Sequence, residues 1–148
     1  MTLETLVLVV SRWVHVGTAI VLVGGAVFQR FVLLPAARAL SEDDHQQLRE
    51  RVMMRWKKFV MAGITLLLVT GFYNYLAVKH EPRYHMFMGI KILLALGVFF
   101  IASALTGRSA GLAAIRRDAP RWLGVLIGLA FLVVAIAGYL KIAFPTAP

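Results

Sequence analysis

Four stretches of the chain are almost wholly apolar, and short charged clusters divide them. The first runs from about Trp13 to Leu34, preceded by "LETLVLVVS"; the others cover roughly Phe59 to Val78, His85 to Leu105 and Trp122 to Phe144. Each has about the 20 residues that a helix needs to cross a bilayer. The pattern predicts an all-α integral membrane protein, one four-helix transmembrane bundle spanning residues 1–148. With the flanking residues included, its helices fall near 5–34, 52–78, 84–106 and 121–144. The first apolar run is too long for a cleavable signal, and no small-residue cleavage site follows it. Pro35 is expected to close the first span. "SEDDHQQLRE", Ser41 to Glu50, reads as a helix start, with Ser41 as cap and acids in the first turn, and it is expected to extend the second helix into water.

Composition agrees: 60% of the 148 residues are hydrophobic and 16% charged, where a soluble domain has about 45–50% and about 25%. The net charge of +9 does not point to nucleic acid, because the basic residues flank apolar runs and form no single polar face. Their distribution sets topology instead. Arg30, Arg38, Arg49, Arg51, Arg55, Lys57, Lys58, Arg108, Arg116, Arg117 and Arg121 cluster around the first and third connections. Arg12, Lys79, Arg83 and Lys141 lie at the opposite ends, and Lys91 falls inside a span. The positive-inside rule puts the first group in the cytoplasm and both termini outside, which in a bacterial inner membrane is the periplasm.

This topology brings His15 and His85 toward the outer leaflet, on different helices and at similar depth, with His80 in the short outer loop and His45 alone on the inner side. Neutral imidazole is a good haem ligand, and facing helices of a bundle can hold a cofactor between them. His15 and His85 are therefore expected to be axial ligands of a b-type haem. Arg12 and Arg83, with Lys79 and Lys141, would meet its propionates. The stripe below His15, made of Ala19, Leu22, Ala26 and Gln29, leaves room for a flat macrocycle. Lys91 is the candidate catalytic residue: an intramembrane cation marks a substrate or proton path, or else snorkels to the surface. It lies six residues beyond His85, about 9 Å deeper and about 240° around the helix. A second reading takes "HMFM" as a copper site of His80, His85, Met86 and Met88, thioethers being suited to Cu(I). A third makes the chain a non-catalytic subunit whose histidines only pack.

No residue is cysteine, so thiolate chemistry and disulfides are excluded. All seven acids lie outside the apolar spans, which excludes a carboxylate dyad and a carboxylate-borne proton relay. Glycines at 63 and 71, and the Gly124–Gly128 pair in "GVLIG", are expected at close helix contacts within the bundle, although a dimer seam uses the same pattern. Trp13, Trp122, Tyr75, Tyr84 and Tyr139 fit interfacial belts.

"WVH" followed by "VGG", Phe28 and a closing "LLP", then "TGFYNY" and "GIKILLAL", resemble the segments of the CopD copper-resistance domain. The four-helix layout also resembles the HemJ-type protoporphyrinogen oxidases. The chain differs from the latter at Leu22, where they carry tryptophan, at "FQRFV", where they carry "YLPRL", and at Ala102, where they carry a histidine. The resemblance implies a shared fold and functional roles for the first-helix histidine and third-helix lysine, here His15 and Lys91. The expected function is a membrane haem protein in electron transfer or haem-linked oxidation, with a quinone, a porphyrin or a redox protein as partner. CopD-like copper binding or transport is the alternative.

Overall fold

The computed structural model describes residues 2–77 and 82–144; His80 and Lys79 lie outside this range. Four long helices carry the fold: α1 (Leu3–Ala37), α2 (Glu42–Leu76), α3 (Pro82–Thr106) and α4 (Ala119–Ala143), each long and apolar enough to span a membrane. A 3₁₀ turn (Ala110–Leu112) and a helical turn (Ala113–Arg117) link α3 to α4. The all-α four-span bundle read from the hydropathy pattern is the observed fold.

Local chemistry explains the helix ends. The Ser41 side chain accepts from the Asp44 N–H at 3.3 Å, and Glu42, Asp43 and Asp44 occupy the first turn of α2, where the positive end of the helix dipole favours them. The extension of the second helix beyond the bilayer is therefore observed, and α2 starts ten residues ahead of the expected 52. Pro35 does not close α1. A proline has no N–H to donate and its ring crowds the carbonyl four residues back. Here α1 widens into one π-helical turn, Gln29–Leu33, in which the Leu34 N–H reaches the Gln29 carbonyl, and the helix resumes through Ala37.

The helices associate most closely as two antiparallel pairs, α1 with α2 and α3 with α4, and sparser α2–α3 and α1–α4 contacts close the ring. Small residues set the first pairing. A Cβ on Gly25 would run into the Trp56 ring, one on Gly63 into the Leu22 side chain, and one on Gly71 would lie 3.2 Å from the His15 ring. The partners run in opposite order along the two helices, as an antiparallel pair requires. The Gly124–Gly128 pair behaves differently: both are exposed and a Cβ on either would meet nothing within 4 Å. It lies on the outer face of α4 and not at the expected contact within the bundle, because Leu123, Leu126 and Ile127 are the residues that α4 turns inward.

The buried residues Ala26, Ile101, Leu123, Leu126 and Ile127 cluster in the half of the bundle nearest the arginine-rich connections. Beyond this cluster, Arg116 donates to the carbonyls of Ala104 (3.5 Å) and Ser109 (2.6 Å), and Arg49 donates to the Arg116 carbonyl (3.0 Å). These bonds satisfy one of the carbonyls left open at the end of α3 and tie α2 to the α3–α4 connection.

Gly25→Ala should lower stability by about 1–3 kcal/mol, the usual cost of overpacking. Gly124→Ala should be neutral, or stabilising by up to about 1 kcal/mol from helix propensity. Unfolding of the two variants in mild detergent checks both; equal Tm values would mean that Gly25 does not fix the α1–α2 spacing.

Candidate functional site

Between the two helix pairs lies a cavity of about 710 Å³, within the roughly 300–1,000 Å³ usual for small-molecule sites. Its α1 wall is the stripe of His15, Ala19, Leu22, Ala26 and Gln29. Tyr84, Met88, Lys91 and Ala95, at helical spacing, form the α3 wall. Arg12 and Lys141 line the end nearest the termini, and His45 and Arg49 the other.

His15 is fixed by α2. Its Nδ1 lies 2.8 Å from the Thr70 hydroxyl oxygen, and that hydroxyl donates to the Leu66 carbonyl at 2.6 Å. A hydroxyl has one hydrogen. When Thr70 gives its own to Leu66 it accepts from His15, and Nδ1 then carries the imidazole proton while Nε2 carries the lone pair. This is the second-shell arrangement that sets the tautomer of a ligating histidine. Gly71 allows the contact, because its missing side chain leaves room for the ring.

His85 is placed differently. Its Nδ1 lies 2.5 Å from the Tyr75 hydroxyl, the Tyr75 and Tyr84 rings meet it edge-on, and it is exposed. It is not among the residues lining the cavity. Helix α2 serves as a ruler for depth: Thr70 meets His15 and Tyr75 meets His85, five residues apart, or about 7.5 Å at 1.5 Å per residue. The two histidines thus meet α2 at different residues, Thr70 and Tyr75. Lys91 is six residues inward from His85, about 9 Å, which brings it to nearly the level of His15. It lines the same cavity as His15.

The structure thus brings together His15, Lys91, Met88 and Arg12 among the residues expected from sequence. It separates Arg83 and Met86, which line a shallow outer groove with Phe87, Tyr139, Ala143 and Phe144. Met86 and Met88 face different sides, and among the described residues no group of three or more histidines and carboxylates could hold a metal ion. The copper site drawn from "HMFM" gains no support from this arrangement, and its His80 lies outside the described residues.

Several site residues were not singled out from sequence. Thr70 and Asn74 sit four apart on one face of an apolar helix, a polar pair whose spacing was the available signal. The Asn74 Oδ1 and the Ser11 Oγ, each one turn nearer the termini than Thr70 and His15, are buried without a hydrogen-bond partner among the described residues. Asn74, Tyr75 and Tyr84 line the cavity.

No curated protein matches the chain, and no solved structure does. A family model does match, over residues 9–84, a segment that holds α1, α2 and the first residues of α3, with His15, Thr70, Gly71 and Asn74 inside it and Lys91 beyond its end. By this match the chain belongs to the family described as predicted integral membrane protein (DUF2269).

Proposed function

We propose that this is a membrane haem protein in which the cavity takes a b-type haem between the two helix pairs, for electron transfer or haem-linked oxidation. One observation carries the reading: a histidine on the cavity wall is held by Thr70 and Leu66 in the tautomer that leaves Nε2 with its lone pair. The residues present fit the group. The walls are mostly apolar, and Arg12 and Lys141 stand at the rim where propionates would meet water. His15 would supply the axial ligand. The position of His85, outside the cavity lining and about a turn and a half away, favours ligation by His15 without it.

When bound, the haem supplies one-electron chemistry. The chain's own part is to orient His15 through Thr70, to exclude water with the apolar stripe, and to hold the Lys91 cation across the cavity at the same level. Lys91 faces the cavity and not lipid, as expected of an intramembrane cation with a role. The excess of Lys and Arg at the opposite connections supports placing the His15 end on the outer side of the membrane.

Absorption spectra of the detergent-purified chain test this directly. Wild type should show a Soret band, His15→Ala should lose it, and His85→Ala should keep it. Loss in both variants would restore the paired ligation, while a colourless wild type expressed with ample haem would end the haem reading altogether.

Two further variants probe the surroundings of the iron. Thr70→Val should weaken haem affinity by about 10–100-fold, the usual effect of removing an outer-shell partner, and should be measured by haem titration. Lys91→Met should retain haem but lower its midpoint potential, because removing a nearby positive charge favours the oxidised, more positive iron. A potential unmoved by Lys91→Met would mean that this cation lies outside the reach of the iron.

A further inference from the structure

The other half of the cavity holds a polar group that the haem reading does not use. Gln29 is only 7% exposed and lies on the cavity wall in the π-helical turn, and its carboxamide is not among the sealed, unpartnered groups of the described residues, which belong to Ser11 and Asn74. A carboxamide on a cavity wall can both donate to and accept from a guest, and π-turns recur at functional positions. Gln29 is 14 residues from His15, about 21 Å along α1, too far to share one macrocycle.

The neighbours define the chemistry. Thr106 is also buried and lines the cavity. Its hydroxyl donates to the Ala102 carbonyl at 2.9 Å, so toward the cavity it can only accept. Gln29 can both donate and accept. Trp56, which packs on Gly25 one turn from Gln29, adds an aromatic face to the same wall. The two buried polar side chains here are uncharged, and the guanidinium that lines this end, that of Arg49, is exposed and donates to the Arg116 carbonyl. An anionic head would be left without a buried counter-charge, which is costly.

We infer that the cavity beside Gln29 is a second binding site, for a neutral lipid-soluble molecule with a carbonyl or hydroxyl head, the chemistry of a quinone or quinol. The Gln29 amide N–H donates to the head-group oxygen, and a quinol hydroxyl donates in turn to Thr106. The apolar walls take the ring and the start of the tail. This site stands on residues other than those of the haem reading and does not depend on it.

The experiment uses the full chain in lipid nanodiscs, titrated with decyl-ubiquinone and decyl-ubiquinol while tryptophan fluorescence is followed. Wild type should show saturable quenching. Gln29→Leu should bind both probes at least tenfold more weakly, and without probe its Tm should be equal, so that weaker binding is not a folding defect. Thr106→Val should weaken decyl-ubiquinol more than decyl-ubiquinone. Haem content, read on the same samples, should be unchanged in both variants, so that loss of this site and loss of the haem site are told apart. Non-saturable quenching in wild type, or equal probe affinity in wild type and Gln29→Leu, would overturn the inference.

Discussion

The site rests on one chain of hydrogen bonds: His15 Nδ1–H to the Thr70 hydroxyl, and the Thr70 hydroxyl to the Leu66 carbonyl. Within a bilayer no water competes for these groups, so each must find its partner inside the protein. That requirement fixes the rotation of α1 against α2 at this level, since the hydroxyl and the ring must meet. Gly71 makes the approach possible, and Gly63 and Gly25 carry the same close pairing along the two helices. The register of the first pair, the tautomer of His15 and the shape of the cavity wall all follow from this one contact.

Much of this was legible in the sequence because lipid imposes a simple code. Spans of about 20 apolar residues and a strong asymmetry of lysine and arginine gave the four helices and their alternation. The stripe from His15 through Ala19, Leu22 and Ala26 to Gln29 could be read from helical spacing alone, and it lines the cavity. The separation of His85 from Lys91 around α3 followed from the same arithmetic, and only Lys91 reaches the cavity.

What escaped the sequence was relative axial position. Charge asymmetry says which end of a helix faces which side, but not by how many residues one helix is shifted along another. His15 and His85 therefore looked level, and only the structure shows that they meet α2 at different residues, Thr70 and Tyr75. Rotation was equally hidden for Gly124 and Gly128, since small residues mark any close-packed or bare face alike. Pro35 misled for a different reason. A π-turn lets the helix continue past a residue that ordinarily stops it, and the sequence carries no local sign of that choice beyond the proline.

The arginine bonds at the third connection have a mechanical consequence. Arg49 and Arg116 pin the two hairpins together at one end, and the Ala26–Ile101–Leu123 core glues them just above that point. A clothes-peg sprung at one end opens at its jaws. The short α2–α3 connection and the Tyr75–His85 bond hold the other end on one side, so the halves would part most readily between α1 and α4, whose contacts are sparse, and a bulky guest would enter by that gap while the pinned end stays shut.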